Sequence, residues 1–426
     1  MSPKIKTFLP VFFSGTAKDT YIIFTANIFT SFLAFLYTIF LARAFDPRLL
    51  GIFSAVTAFI LLTSDVLDLG ISTSLSRFYP EIKRKRGEGN ALSFAVNSFK
   101  FQLTLTIAVI LLIIITSTNL ANIFLEDHRF YYLYLLSAAG VLGTVLTAFA
   151  SALLAARKKF IAVAVISVTS TLTKLLLLVL LFYLNRFILS LVLLAFVVAS
   201  FVAFSVSTRF LKLALFRDKF SFMELKKLLS YSLFIALSRI FSAVSGKLDA
   251  LMLIPLSSAF DAGIYSAAYK IAFTYILLAG SFSTVIAPRL ASFKDVGLSL
   301  PYLKKIILAT MLILLSMVVL YAVAPFFVVF ILGRRYVLSV DVFRSLLLPT
   351  ALFVMTIPSV NFLLYVLKKP WVSTFNTFIS LVIMFSGNLY FIPAFGRFGP
   401  VYSLTGAYGF TLISSVFFAV YYYSKS

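Results

Sequence analysis

Apolar residues run through this chain in long stretches separated by short clusters of charged residues, glycine and proline. Twelve of these stretches are long enough to cross a hydrocarbon layer as helices, near 20–42, 49–78, 92–118, 130–154, 161–184, 187–208, 228–256, 262–290, 304–332, 340–366, 371–393 and 398–423. No stretch before residue 20 has the apolar core of a cleavable signal, so the first span is expected to stay as a transmembrane helix. The pattern predicts an all-α integral membrane protein.

Composition supports this reading and removes several chemistries. With 62% hydrophobic and 12% charged residues and a mean hydropathy of +1.06, a soluble domain on one anchor is excluded. Cysteine is absent, which excludes disulfides, thiolate catalysis and cysteine metal sites. His128 is the single histidine, so paired-histidine zinc chemistry is excluded and a Ser/His/Asp triad could form only through it. Glu126 and Asp127 beside it predict an exposed turn. No metal or cofactor is expected.

Charge fixes the expected orientation. With the amino terminus inside, Arg43, Arg48, Arg129, Arg186, Arg334, Arg335, Arg344 and Arg397 face out, and Arg77, Lys100, Lys174, Arg239, Lys247 and Lys270 fall within spans. All remaining members of the 37 Lys and Arg are then cytoplasmic, including the Lys83–Arg86 run, Arg157–Lys159 and Lys368–Lys369. Both termini are expected to be cytoplasmic in a multi-pass protein of the cell membrane. The net charge of +23 is dealt out loop by loop along membrane edges, so anionic lipid head groups, and not nucleic acid, are the expected partners.

The two halves echo one another. Phe45-Asp46 followed by Gly51-Ile52-Phe53-Ser54-Ala55 returns as Phe260-Asp261 followed by Gly263-Ile264-Tyr265-Ser266-Ala267, and the same offset carries Arg77 onto Arg289. Two six-helix lobes are expected, residues 1–208 and 228–426, related by a pseudo-two-fold axis along the membrane normal. Residues 209–227, rich in Phe, Leu and Lys, read either as an interfacial linker or as a plain basic loop.

The ionisable residues inside spans carry the functional information, because a Lys or Arg at mid-membrane costs from about 3 to above 10 kcal/mol unless it meets water, a partner or an anionic passenger. Against the six cations stand three carboxylates, Asp65, Asp68 and Asp249, so pairing leaves a positive surplus. Lys174 ends a polar stripe with Ser167, Ser170 and Thr171. Arg239, Ser242, Gly246 and Asp249 share one arc of a continuous span seven, flanked by Lys247. Structural alternatives stand beside these: Asp68 with Lys100 and Asp249 with Lys270 as salt bridges, and Arg77 snorkelling to the inner surface. Asn27, Thr30, Ser31 and Thr38 form a weaker polar stripe suited to sugar hydroxyls, and Asp65 with Asp68 reads as a structural pair or as an acid pair that loads a coupling cation. Pro325, Pro349 and Pro358 are expected to kink their spans.

These residues carry a resemblance. Leu41-Ala42-Arg43-Ala44-Phe45-Asp46-Pro47, Gly51-Ile52-Phe53, Asp68-Leu69-Gly70-Ile71 with Arg77, Asp249, Gly263 to Lys270 and Ala287-Pro288 resemble the Wzx-type polysaccharide-biosynthesis transporters, of the superfamily that includes lipid II flippases and MATE exporters. The resemblance implies twelve helices in two lobes around a central cavity. It also implies movement of a polyprenyl-pyrophosphate-linked oligosaccharide to the outer leaflet, with Lys174, Arg239, Lys247, Lys270, Lys100 and Arg77 as candidates to meet the passenger. A proton or sodium gradient is the expected drive, a monomer the expected state, and glycan polymerase or ligase machinery the expected neighbour. Lipid II flipping is the alternative that differs only in the sugar. A MATE-like drug exporter would want an acid deep in span one, which is missing. A membrane glycosyltransferase would need acids on large outer loops, and a nucleotide-driven pump a Walker glycine where Phe241 stands.

Overall fold

Every secondary-structure element is helical in the computed structural model, which describes residues 15–125, 127–211, 237, 239–293 and 296–425, with side chains from residue 22 onward. The helices are α1 (Gly15–Ala44), α2 (Pro47–Leu67), α3 (Ile71–Leu125), α4 (Tyr131–Ala156), α5 (Phe160–Tyr183), α6 (Leu189–Thr208), α7 (Leu248–Leu256), α8 (Ala259–Ala291), α9 (Val296–Leu332), α10 (Ser339–Met355), α11 (Ile357–Asn361), α12 (Pro370–Phe395) and α13 (Gly399–Tyr423). Residues 239–245 are also helical.

Among the described residues, nine helical stretches are long and apolar enough to cross a membrane. Two of them, 47–125 and 370–423, are 79 and 54 residues long. At about 1.5 Å per residue each far exceeds one crossing of a layer about 30 Å thick. The first breaks at Leu69 and Gly70, where φ is +42° and +73°, and again at Gly87, where φ is +86° within the exposed charged segment 81–90. The second turns at Gly396 with φ +54°, so that α12 and α13 lie against each other. Each long stretch thus has the length and the break that two crossings require. Expected span 228–256 and the linker 209–227 lie largely outside the described residues.

Chain contacts divide the protein into two compact units. The first takes the described residues within 1–40, 59–122 and 127–240. Its core joins Ile71, Leu75, Tyr79, Phe94 and Phe99 of α3 to Phe149, Leu153 and Leu154 of α4 and Ile166 of α5. Helix α6 packs on α4 and α5, with Thr147 Oγ1 donating to the Ser200 carbonyl at 2.8 Å. Arg157 Nε donates to the Tyr79 hydroxyl at 2.9 Å, which anchors the turn after α4.

The second unit takes the described residues within 41–58, 123–126 and 241–426, and in it the repeated motif finds its physical reason. Asp46 and Ser258 cap α2 and α8, accepting from Leu49 N at 2.8 Å and Asp261 N at 3.1 Å. The first turns of these two helices then pack backbone to backbone. A Cβ on Gly51 would overlap the Ala259 carbonyl oxygen, and one on Gly263 would overlap the Pro47 carbonyl oxygen. The matching glycines of the two halves are therefore contact partners, small because two backbones meet there. Two of the arginines expected to face out have structural work: Arg43 donates to the carbonyls of Phe330 and Ile331 at the C-terminus of α9, and Arg397 pairs with Asp261 at 3.3 Å. On α9, Leu308, Met311, Leu312, Leu315, Val318, Val319, Phe326 and Phe330 are exposed, as suits a face turned to acyl chains.

Local differences from the sequence expectation have simple causes. Span seven is broken at Gly246–Lys247, where glycine's low helix propensity follows Ser242 and Ser245, and the chain restarts as α7. Of the three prolines, Pro358 sits at an interruption between α10 and α11, followed by a π-helical turn over Phe362–Val366, whereas Pro325 and Pro349 lie inside α9 and α10 without ending them.

Candidate functional site

In the first unit Lys174 stands on α5, half-buried, with its Nζ 4.2 Å from the centroid of the Phe196 ring on α6. Among the described residues it has no carboxylate partner. The ring face supplies part of what water would supply, on the order of 1–2 kcal/mol for a desolvated cation, which is less than the cost of placing the ammonium in hydrocarbon. The remaining charge is available to an anion. Ser167, Ser170 and Thr171 line up on the same helix, half-buried, with Thr171 Oγ1 donating to the Ser167 carbonyl at 3.2 Å. One member of the stripe thus satisfies itself through its own backbone.

Arg239 belongs to the same unit and pairs with Asp68: Nη1 lies 3.4 Å from Oδ2, with the arginine side chain 54% and the aspartate 15% exposed. Asp68 has further work, because its Oδ1 accepts from Ser72 N and Ser72 Oγ and so caps the first turn of α3 after the break at Gly70. The carboxylate therefore serves Arg239 and Ser72 instead of the expected Lys100. Among the described residues this single long contact occupies one of the guanidinium's five donors. Lys100 is half-buried and engaged with a neighbour, as are Arg77 and Asp65, both of which are exposed. Asn27 and Ser31 on α1 are exposed, while the hydroxyls of Thr30 and Tyr37 nearby are sealed without a hydrogen-bond partner among the described residues.

In the second unit Asp249 is 7% exposed at the start of α7. Its Oδ2 accepts from the Tyr265 hydroxyl at 2.6 Å and its Oδ1 from Asn388 Nδ2 at 2.9 Å. These neutral donors replace the expected Lys270. The Asn388 Oδ1 atom is buried with no partner, an acceptor next to a carboxylate in an apolar setting. Lys270, half-buried on α8, makes no ion pair or hydrogen bond among the described residues. Lys247 lies at the break before α7 and is engaged with a neighbour. Ser242 and Gly246 separate from Asp249 at that break: both line a cavity of about 400 Å³, whereas Asp249 is buried with Tyr265 and Asn388.

Sequence reasoning passed over Asn388 and named Tyr265 only as part of the repeated motif, not as a partner of Asp249. A signal existed: the buried residues of α12 recur at every fourth position, Val372, Asn376, Ser380, Met384, Asn388 and Ile392, and two amides on a buried face inside an apolar span are costly enough to need partners.

The sequence profile of a family described as "Polysaccharide biosynthesis protein" matches residues 16–294. No curated protein matches the chain by sequence. Among solved structures, the lipid II flippase MurJ in an inward closed conformation is 16% identical, covering 93% of this chain and 87% of its own, with a TM-score of 0.73. An inward-facing multidrug resistance MATE family transporter of the MOP superfamily is 16% identical over 93% of this chain and 96% of its own, with a TM-score of 0.74. A MOP superfamily transporter from Pyrococcus furiosus, whose reversed binding-pocket polarity is said to suggest a different function, is 15% identical over 95% and 94%, with a TM-score of 0.65. The fold is shared with these transporters.

Proposed function

The chain belongs to the polysaccharide biosynthesis protein family, and on that premise we propose that it is a flippase that carries a polyprenyl-(pyro)phosphate-linked oligosaccharide from the cytoplasmic to the outer leaflet by alternating access. The observation that carries this reading is that Lys174 and Lys270 sit in membrane-spanning helices with no acidic partner among the described residues. Fixed positive charge in an apolar span persists where it meets a negative passenger, and a pyrophosphate is such a passenger. Arg239 adds a planar fork suited to phosphate oxygens, and the lysines add movable point charges. Asp68 holds the fork in position at the loss of part of its charge.

The same reading assigns cation coupling to Asp249. A carboxylate buried beside the unsatisfied Asn388 oxygen can take up a proton or a sodium ion and release it, and the Tyr265 hydroxyl oxygen offers a further ligand. Asp65 is the second acid in reserve. The protein then works as a monomer in the cell membrane with both termini in the cytoplasm, beside the polymerase or ligase that consumes its cargo. The lipid II reading shares all this chemistry and differs in the sugar; a cation-exporting reading fits poorly with cations that lack acids.

The test is a flipping assay in proteoliposomes with undecaprenyl-pyrophosphate glycans of defined sugar, lipid II among them. Wild type moves the oligosaccharide carrier, and Lys174→Gln and Lys270→Gln lose at least tenfold in rate while keeping the wild-type elution profile and melting temperature. Undiminished flipping by both variants rejects the role of these lysines.

A further inference from the structure

The second unit holds a cavity with a chemistry unlike that of the cations. Its volume is about 400 Å³, within the range of small-ligand sites. It is walled by residues 242–246, α8, the α10–α11 interruption, α12 and α13, and no Lys, Arg, Asp, Glu or His lines it. Hydroxyls and amides do, among them Ser242, Ser283, Asn361, Asn376, Thr377 and Ser380, together with the aromatic rings of Tyr269, Phe353 and Tyr408.

Four of its polar groups are uncommitted. Asn361 Nδ2 donates to the Ile357 carbonyl at 2.8 Å and to Ser283 Oγ at 3.1 Å, which fixes the amide's orientation and leaves its oxygen without a partner. The Asn376 amide is held at one end by Ser414 at 2.7 Å, and its other end has no partner among the described residues. The hydroxyls of Tyr269 and Tyr408 make no hydrogen bond to another described residue. None of the four is a sealed atom, and the side chains that bear them line the cavity. Unpaired polar groups in an otherwise apolar bundle cost about 1–3 kcal/mol each unless something binds them. The Tyr408 ring packs on Phe353 at 5.1 Å and Tyr269 on Phe273 at 5.6 Å, so the aromatic faces are fixed.

A ligand for such a place carries many neutral donors and acceptors on a body with apolar C–H faces. We infer that this uncharged cavity of the second unit receives the sugar part of the passenger, as a subsite chemically separate from the cations that meet its phosphate. The assignment rests on the flippase reading in one respect, the identity of the molecule that delivers the sugar.

Photolabelling of the full chain in proteoliposomes tests it. One probe is undecaprenyl pyrophosphate bearing a neutral disaccharide with a diazirine on the terminal sugar, and the other carries the diazirine on the isoprenoid chain instead. The sugar-borne label is expected on peptides containing Tyr269, Asn361, Asn376 or Tyr408, and Tyr269→Phe with Tyr408→Phe lowers that labelling at least tenfold. These hydroxyls lack partners among the described residues, so their removal is expected not to lower the melting temperature. A sugar-borne label elsewhere, its absence, or labelling of the cavity by the isoprenoid probe overturns the inference. Labelling of the cavity without net translocation upholds the sugar subsite and rejects the flippase reading, so the two failures are distinguishable.

Discussion

Lys174 and Lys270 face one energetic problem with different surroundings. The first leans on the Phe196 ring, the second on nothing polar that the described residues provide. Asp68 is the instructive case, because it serves two masters: it caps α3 through Ser72 and it holds Arg239. Asp68→Ala is expected to lower stability by about 0.5–2 kcal/mol, the usual worth of a helix cap, and Asp68→Asn to restore most of it, because asparagine caps nearly as well as aspartate. A thermal-shift series on the two variants checks this; equal losses would place the stabilisation in the ion pair instead. Cations, acids and polar stripes inside apolar runs were legible from the sequence because a charge inside such a run is visible without any fold. Their partners were not. Arg239 and Asp68 are 171 positions apart, and Asp249 and Asn388 are 139 apart, so no local spacing reports them. The nearer pairings that depth suggested, Asp68 with Lys100 and Asp249 with Lys270, gave way to these because the helix breaks at Leu69–Gly70 and Gly246–Lys247 redirect each acid.

At the scale of elements, the repeat seen in sequence turns out to be a contact. Gly51 and Gly263 lie where the first turns of α2 and α8 meet, and any side chain there forces the two backbones apart. Gly263→Ala is expected to destabilise by about 1–3 kcal/mol, read as a lower melting temperature and reduced yield; an unchanged melting temperature would mean the crossing is looser than the backbone contact requires. The turn before α4 offers a pH test. Arg129, through its side chain and its backbone N–H, holds the Asp127 carboxyl at about 2, below the ordinary 3.8. Because the folded value is depressed, this contribution is complete above pH about 4 and is lost as pH falls toward 2. Hydrogen exchange at the 127–130 turn should therefore accelerate over that window, and Arg129→Ala should remove the dependence. Spans closed by clear loops, 130–154 and 161–184 among them, lie close to the helices Tyr131–Ala156 and Phe160–Tyr183, whereas span 49–78 does not, because the helix breaks at Leu69–Gly70. Interruptions inside an apolar run were not legible, since Gly246 and the Thr356–Pro358 break leave hydropathy unchanged.

For the whole molecule, class, helical fold and family were readable in advance: the motif resemblance and the match over 16–294 point to the same polysaccharide-biosynthesis family. Orientation rests on loop charge and has a clean check. The chain has no cysteine, so single replacements report without background. Lys158→Cys and Lys368→Cys should react with an impermeant maleimide only from the cytoplasmic side, and Arg129→Cys and Arg335→Cys only from outside; the reverse pattern would invert the direction of transport proposed. The neutral cavity of the second unit could not be foreseen, because it depends on which of many Ser, Thr and Asn side chains a fold gathers into one place.

The most direct measurement is the rate at which reconstituted protein flips a fluorescent undecaprenyl-pyrophosphate oligosaccharide, compared among wild type, Lys174→Gln and Lys270→Gln at equal folded protein. Wild type is expected to flip the carrier robustly, with a rate that falls at least tenfold in each variant and is not restored by raising carrier concentration in the cytoplasmic leaflet. Equal rates in all three proteins would contradict this.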